Sequence, residues 1–369
     1  MSTLKVDNIR HNSATSDAIT MASDGTCTAK ITSINEGSAL SHRNIIINGD
    51  MTIHQRGGTI AFSEAGYSLD RWKMRTGNHS GAANITQETT SPDGFQKSLK
   101  VQVTTADNSL TGGEYFFVTQ YVEANNIHHA AYGNSSAKTM TLSFYVRSNV
   151  IGTYNCAFYA PSSAKLFSKS YTISAQDTWE RKTITIPGDT SGGLGTGTGT
   201  GMRVEWYLAA GTSYTSGSNQ ATWSSYSVGD TAPNNVNLLH SVSNNFYLTG
   251  VQLEIGDTAT SYEHRSIGEE LIRCKRYYQT NSFTTLMGSA AGQVSTPMIM
   301  FPVEMRAAPS SVTVEYGGNG NGSFRNQNTG STLTGHTIIV TYKNGFTARG
   351  SGGSANIIYS SVYKAESEL

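Results

Sequence analysis

Residues 140–147 read MTLSFYVR, and this stretch indicates the fold class of the chain. Every second position in it is apolar, at Met140, Leu142, Phe144 and Val146. Successive side chains of a β-strand point to opposite faces of the sheet. The alternation therefore predicts a strand with one buried face and one face toward solvent.

The same alternation recurs through the central part of the chain. It predicts strands at Asn44–Asn48, Ser98–Thr104, Tyr115–Val122, Lys138–Arg147, Trp179–Ile186, Met202–Leu208 and Phe246–Ile255. No helical period separates these strands, and many short strands at this spacing are typical of an antiparallel sandwich. We therefore expect an all-β protein whose central part, residues 42–262, is a jelly-roll β-sandwich.

One helix is predicted after this sandwich. Ser266 is suited to cap the helix, Glu269 follows three residues later as in a capping box, and apolar residues then recur at helical spacing. We assign residues 263–280 to this linking helix. Alternating stretches at 297–303, 311–316, 332–342 and 355–363 predict a smaller C-terminal β-sandwich over residues 281–369.

The first 41 residues differ from the rest because they hold too few large apolar side chains to close a core. A turn signal at Ser23-Asp24-Gly25-Thr26 separates residues 18–22 from residues 27–34, which predicts a hairpin. An isolated hairpin is only marginally stable in water. We expect neighbouring chains or a docking surface to stabilise it, and we assign residues 1–41 to attachment or oligomerisation.

The charge composition favours an assembly protein and argues against a nucleic-acid partner. Charged residues make up 14% of the chain, against about 25% in an ordinary soluble protein. Lys and Arg number 26, equal to Asp and Glu, and neither sign forms a long run. A surface of hydroxyls, amides and few charges suits a subunit whose flanks pack against other subunits.

Targeting and redox signals point in the same direction. Residues 1–9 lack the basic and apolar regions of a signal peptide, and no apolar run is long enough to span a bilayer, so we expect neither secretion nor membrane insertion. Three widely spaced cysteines, Cys27, Cys156 and Cys274, are typical of free thiols made in a reducing cytoplasm.

Motifs for catalysis, metal binding or cofactor binding are absent from the sequence. It has no zinc-protease motif, nucleophile elbow, phosphate-binding loop or paired Cys-x-x-Cys. A pair of carboxylates for glycoside cleavage is possible among Asp70, Glu114, Glu123, Glu205 and Glu254, but spacing selects no pair. We therefore expect no enzyme activity, no metal and no cofactor.

Aromatic residues give the candidate binding site. Tyr214, Trp223 and Tyr226 lie in a stretch rich in Ser, Thr and Gly that is predicted to be a loop. Aromatic rings stack on the C–H faces of sugars while neighbouring hydroxyls bond their oxygens, so these three residues are candidates for carbohydrate binding. Packing in the core or in a subunit interface is the alternative.

Several short motifs, taken in their order along the chain, resemble those of a known family. They read LKVDNI (4–9), NIIINGDM (44–51), HQRG (54–57), YSLDRW (67–72), GVQLEIG (250–256), TAT (258–260), YEHR (262–265), CKRYY (274–278) and MRAAP (305–309). Together they resemble tail-fibre-type virion proteins of tailed bacteriophages, especially marine and cyanobacterial podoviruses.

This resemblance implies a jelly roll like that of carbohydrate-binding modules, assembly as a homotrimer and a place in the virion after assembly in the host cytoplasm. The N-terminal segment would attach to other virion proteins, namely a tail adaptor, nozzle or capsid, and the distal end would contact a host-surface glycan. Five motif residues are then structural: Asp70, Arg71, Trp72, Gln252 and Glu254.

The function expected from sequence is therefore a tail-fibre or receptor-binding subunit that contacts host polysaccharide without cleaving it. Two alternatives stay open. One is a capsid decoration or head-fibre protein without a receptor role, and the other is a polysaccharide depolymerase.

Overall fold

A computed structural model describes residues 6–10, 12, 19–24, 27–29, 42–62, 66–77, 79–290, 293–351 and 357–369. Near the N-terminus it contains a small antiparallel sheet of β1 (Asn8–Ile9), β2 (Ile19–Met21) and β3 (Cys27–Ala29). Met21 is paired with Cys27, so the predicted hairpin is confirmed. Strand β1 of the same chain adds a third strand to it. The role of residues 1–41 in attachment stays a prediction.

The central part is an antiparallel β-sandwich, and the all-β fold class is confirmed. Its strands are β4 (Ile60–Phe62), β5 (Gly66–Tyr67), β6 (Lys73–Gly77), β7 (Ala82–Glu88), β8 (Ser98–Thr105), β9 (Tyr115–Glu123), β10 (Met140–Ser148), β11 (Gly152–Ala160), β12 (Lys165–Ile173), β13 (Glu180–Ile186), β14 (Thr200–Ala210), β15 (Ser224–Ser225) and β16 (Asn245–Ile255). Two short helices, α1 (Ala124–Ile127) and α2 (Thr212–Thr215), lie between strands.

These strands form two sheets. The six-stranded sheet has the order β13-β10-β16-β8-β7-β4, and the seven-stranded sheet has the order β15-β12-β11-β14-β9-β6-β5. Alternate residues of both sheets meet in one core, where Met140, Leu142, Phe144 and Val146 are fully buried as predicted. Burial of each such side chain is worth roughly 1.5–3 kcal/mol, so this core is the main source of stability.

One predicted strand is wrong. Asn44–Asn48 forms no strand, although it is buried beside both sheets. Its backbone bonds mostly to side chains instead, although the N–H of Ile45 bonds the Leu253 carbonyl. The Asn44 amide oxygen accepts from the backbone N–H of Ile46 and of Leu253, and Gln120 bonds both the N–H and the C=O of Ile47. Side-chain amides thus replace the strand partners that an alternating sequence normally finds.

The linking helix is confirmed but is shorter than predicted. Helix α3 (Ile267–Lys275) begins after Ser266, whose hydroxyl oxygen accepts a bond of 3.3 Å from the backbone N–H of Glu269. The chain then turns directly into strand β17, which begins at Tyr278. Cys274 and Tyr277 pack on Ile47 and Ile53, so the helix is fixed to the central sandwich by an apolar contact.

The C-terminal part contains two smaller sheets that share one core. Its strands are β17 (Tyr278–Leu286), β18 (Gly288–Ala290), β19 (Gln293–Ser295), β20 (Ile299–Met300), β21 (Ser311–Glu315), β22 (Phe324–Asn326), β23 (Thr332–Leu333), β24 (Thr337–Tyr342), β25 (Gly345–Ser351) and β26 (Ile358–Glu366). The stretch predicted as one strand at 332–342 is divided into β23 and β24, because Gly335 takes a left-handed φ of 79° between them. Of the helices that the structure describes, none is both long and apolar enough to cross a bilayer.

Candidate functional site

The outer surface of the seven-stranded sheet carries a group of aromatic and charged side chains in mutual contact. Strands β9, β14 and β11 send one set of side chains into the core and the alternate set outward. Strand pairing places the outward residues in rows, such as Tyr121–Arg203–Tyr159. We call this surface the aromatic face, and it consists of Lys73, Arg75, Tyr115, Phe117, Thr119, Tyr121, Tyr159, Arg203, Glu205, Tyr207, Tyr214 and Tyr226.

One half of the aromatic face is a cluster of rings in mutual contact. The Phe117 ring lies 4.7 Å from that of Tyr207 and 5.4 Å from that of Tyr115, measured between centroids. Tyr214, from helix α2, covers Tyr115 at 5.2 Å. Because Phe117 and Tyr207 are almost fully buried by these neighbours, this half forms a rigid apolar support for the rest of the face.

The other half is organised around Arg203. Its guanidinium carbon lies 4.4 Å from the Tyr159 ring centroid and 5.8 Å from that of Tyr121, both within cation–π range. Its Nε lies 2.9 Å from a carboxylate oxygen of Glu205. The Tyr226 ring meets that of Tyr159 edge to face at 5.0 Å, so a tyrosine–arginine–tyrosine surface faces outward here.

Glu205 lies at the base of this half and is only 2% exposed. Burial raises the pKa of its carboxyl, and the nearby Arg203 guanidinium opposes that rise only in part. The Tyr207 hydroxyl donates to the second carboxylate oxygen at 3.3 Å. The carboxylate is therefore held by its own neighbours, and Arg203 is oriented by it.

Two further cations lie at the β6 edge of the face. The Arg75 guanidinium donates to the Tyr121 hydroxyl at 3.0 Å. The Lys73 ammonium lies between two rings, 4.9 Å from the centroid of Tyr67 and 5.1 Å from that of Tyr121. Neither cation is within ion-pair distance of a carboxylate that the structure describes.

The three residues proposed from sequence for carbohydrate binding are not brought together. Tyr214 and Tyr226 do lie at the aromatic face, and Tyr226 is 43% exposed. Trp223 is 7% exposed, belongs to the main core beside Phe167 and donates its indole N–H to the Pro187 carbonyl at 2.7 Å. For Trp223 the packing alternative therefore describes the contacts, because a covered ring offers no face to a sugar.

The structural motif residues of the first group lie where the central sandwich meets the end of the chain. Asp70 accepts two hydrogen bonds from Gln55, one from its backbone N–H at 2.7 Å and one from its amide at 2.6 Å. The Trp72 indole donates to the Asn48 carbonyl at 2.8 Å, and its ring lies 5.5 Å from that of Trp206. Arg71 forms an ion pair with Glu368.

The second group lies on the other sheet. Glu254 accepts from the backbone N–H of Thr260 at 2.9 Å and from the Gln252 amide at 2.9 Å. The Gln252 amide oxygen accepts from the backbone N–H of Glu263 at 2.8 Å. These bonds fasten residues 256–265 over part of the six-stranded sheet.

The other carboxylates considered for catalysis lie in separate networks. Glu123 is bound by Arg276 and by the Tyr277 hydroxyl, and Glu114 is bound by the backbone N–H of Thr111. Among the residues described, no group of three His, Cys, Asp or Glu side chains is arranged to hold a metal ion.

The C-terminal sandwich has a depression of its own, about 270 Å³ in volume. It is lined by Ser282, Phe283, Thr284, Tyr316, Ser360, Ser361 and Val362. Arg325 lies 5.5 Å from the Tyr316 ring centroid and donates to its hydroxyl at 2.6 Å. This tyrosine–arginine pair is similar in chemistry to Tyr159 and Arg203 but stands alone, so it is a matched control for the aromatic face.

Of the aromatic face, the sequence pointed only to Tyr214 and Tyr226 as binding residues, and it marked Glu205 only as one of five carboxylates for a possible catalytic pair. A signal for the other residues of the face was present. Within the predicted strands Tyr115–Val122 and Met202–Leu208, the positions that alternate with the core residues are aromatic or charged, with the exception of Thr119. A sheet face exposed only to water does not need large rings at those positions, so the pattern marks a second functional face.

No protein-family model matches the chain, and no curated protein matches its sequence. Solved structures with a similar course of the backbone include tailspike protein 4 of bacteriophage CBA120, at 13% identity and a TM-score of 0.33 over 61% of this chain and 24% of that chain. A family 4 carbohydrate-binding module is similar at 10% identity and a TM-score of 0.29, over 57% of this chain and 98% of that one. The family 11 carbohydrate-binding module of Clostridium thermocellum is similar at 12% identity and a TM-score of 0.26, over 56% of this chain and 98% of that one. At such low scores the function has to be argued from the site itself.

Proposed function

We propose that the chain is a structural protein of a tailed-bacteriophage particle that binds host-surface polysaccharide through the aromatic face and does not cleave it. The observation that carries this proposal is the contact of Tyr159 with Arg203 on one side and with the exposed Tyr226 on the other, while the neighbouring Tyr121 is covered. The rings offer stacking surfaces for sugars, and the guanidinium and hydroxyl groups beside them offer hydrogen bonds to sugar oxygens.

Placement in a virion rests on the sequence. The ordered motifs resemble tail-fibre-type proteins, and a chain with only 14% charged residues is suited to packing against copies of itself. We propose a homotrimer that attaches through residues 1–41. A shallow open site binds weakly, and three linked copies would bind a repeating polysaccharide more strongly through avidity.

A polysaccharide array tests the binding site. The intact protein should bind a subset of bacterial surface polysaccharides, and Tyr159→Ala and Tyr226→Ala should each weaken that binding by about tenfold, which corresponds to about 1.4 kcal/mol. Tyr316→Ala, which removes the isolated tyrosine of the C-terminal sandwich, should change it little. Binding that is lost in Tyr316→Ala and kept in the other two would contradict the assignment.

Two further measurements test the proposed trimer and the proposed absence of polysaccharide cleavage. Light scattering should give the mass of a trimer, and a monomer at micromolar concentration would count against the fibre assignment. Incubation with a bound polysaccharide should release no new reducing ends. Release of reducing ends that persists after the preparation is repurified would contradict the non-enzymatic role.

A further inference from the structure

We propose that the aromatic face selects acidic polysaccharides, whose sugar carboxylates would lie against Lys73 and Arg75. This inference rests on the proposed function and names the class of glycan. It depends on the number, position and pairing of the charges on the face.

Three cations share the face, and pairing fixes where they lie. Lys73 is opposite Thr119, and Thr119 is opposite Glu205 on the next strand. Arg75 lies two residues further along the same edge strand. Adjacent strands are about 4.8 Å apart. Lys73 and Arg75 on β6 therefore lie on one side of Tyr121, and Arg203 on β14 lies on its other side.

Compensation of these charges is incomplete. Glu205 is the carboxylate on the face. It forms its ion pair with Arg203, and Arg75 acts on it only through space. Glu366 and Glu368 also act on Lys73 through space, but Arg56 pairs with both and Arg71 pairs with Glu368. Two positive charges on the face, those of Lys73 and Arg75, are left without a carboxylate partner among the described residues.

This local surplus occurs in a chain whose acidic and basic residues are equal in number. The surplus is therefore a property of the face and not of the protein as a whole. Burial and the charge of Arg75 both lower the pKa of Lys73, so the ammonium is held in a site that disfavours it. The negative charge of a bound carboxylate would oppose both effects.

Neutral glycans are the competing class, since tyrosine rings alone can stack on them. The positions of the cations argue for acidic ones. Arg75 bonds the hydroxyl of Tyr121, and Lys73 lies 5.1 Å from the same ring, so both cations lie next to the residue that is paired with Arg203. A uronic acid offers both the C–H face and the carboxylate.

The test compares polysaccharides that differ only in charge. Polygalacturonate, alginate and hyaluronan are each measured beside their esterified, uncharged forms, together with neutral dextran and galactomannan. The intact protein should bind at least one acidic form about tenfold more tightly than its ester, and the difference should shrink between about 0.05 M and about 0.5 M salt as the charges are screened.

Variants then locate the effect. Lys73→Gln and Arg75→Gln should each reduce the ratio of the affinity for the acidic form to that for the ester by about three- to tenfold. Lys100→Gln is the matched control, because Lys100 lies 5.6 Å from the ring centroid of Tyr247 on the other sheet. Thermal unfolding of each variant checks that the fold is retained. The salt dependence of the preference is measured on the wild-type protein, so it tests the inference even if a variant fails to fold.

The outcomes separate this inference from the proposed function. Equal binding of acidic and esterified forms, or binding of the neutral polysaccharides alone, overturns the inference and leaves the proposed function standing. Binding of none of the polysaccharides overturns both. Loss of the preference in Lys100→Gln, with the preference kept in Lys73→Gln and Arg75→Gln, overturns the assignment of carboxylate binding to Lys73 and Arg75.

Discussion

Arg71 and Glu368 form an ion pair that is almost completely buried, with side-chain exposures of 1% and 3%. The Arg71 guanidinium also donates to the Tyr121 carbonyl and stacks on Tyr277, 3.6 Å from the ring centroid. The pair joins the central sandwich to the last residues of the chain. Burial opposes the charge of Arg71, but the Glu368 carboxylate outweighs it and raises the pKa of the guanidinium.

We predict that Arg71→Ala lowers the free energy of unfolding by about 3–5 kcal/mol, because Glu368 would be left as an unpaired buried charge. Denaturant unfolding measures this loss. Arg147→Ala is the control, since Arg147 pairs with the exposed Asp177 and should cost about 1 kcal/mol or less. Equal losses in the two variants would contradict the role given to the buried pair.

A second prediction concerns Gly250, at the irregularity in the pairing of β10 with β16. Its φ is 59°, and a Cβ there would lie 2.7 Å from Phe95 and 2.8 Å from Tyr145. Gly250→Ala should therefore destabilise the protein by about 1–3 kcal/mol, through strain and overpacking. Gly268→Ala, at an open position of helix α3, should be neutral or stabilising. Thermal unfolding of the two variants measures these effects. A Gly250→Ala variant that unfolds at the same temperature as the wild type would contradict the predicted strain.

A third prediction concerns pH and Glu123. Burial opposes its charge, but hydrogen bonds from Arg276 at 2.8 Å and from the Tyr277 hydroxyl at 2.7 Å outweigh burial and lower its pKa below the ordinary 4.5. The unfolded chain therefore binds this proton first as the pH falls. The stability from Glu123 is present above pH 4.5 and is lost as the pH falls through the lower folded-state pKa.

Glu123→Gln should accordingly be less stable than the wild type at neutral pH, and the difference in unfolding free energy should narrow below about pH 4. Urea unfolding at a series of pH values measures it. A difference that stays constant over that range would show that the carboxylate charge is not what stabilises this contact.

A fourth prediction concerns the buried thiols. Cys156 and Cys274 are fully buried, and burial raises the pKa of each thiol, so neither forms the reactive thiolate in the folded protein. In a Cys27→Ser background, a thiol reagent should label neither cysteine until denaturant is added, and both afterwards. Rapid labelling of either one under native conditions would contradict this placement.

Six strands of the central sandwich, β8, β9, β10, β13, β14 and β16, could be predicted from sequence because their alternation is strong, as at Met140–Ser148 and Asn245–Ile255. Strands β6, β7, β11 and β12 were not among those predicted. The backbone at Asn44–Asn48 could not be predicted, because its partners are side-chain amides such as Gln120, more than 70 residues away. Alternation indicates which side chains are buried, but it does not reveal what the backbone bonds to.

The site was less predictable than the fold. Tyr214 and Tyr226 could be identified because they lie in a stretch that resembles a loop in composition. The same criterion also selected Trp223, which is buried in the main core. Arg203 and Tyr159 could not be joined by sequence, because they are 44 positions apart and meet only through the pairing of β14 with β11. The register of these two strands depends on contacts between distant parts of the chain, which cannot be derived from a single sequence.

The central claim is that the aromatic face holds the glycan, and a crystal structure with an oligosaccharide cut from the tightest polysaccharide of the array tests it most directly. We predict a sugar ring stacked on Tyr159 or Tyr226, with a hydrogen bond to Arg203. A sugar found on the C-terminal sandwich beside Tyr316, with the aromatic face empty, would contradict the account.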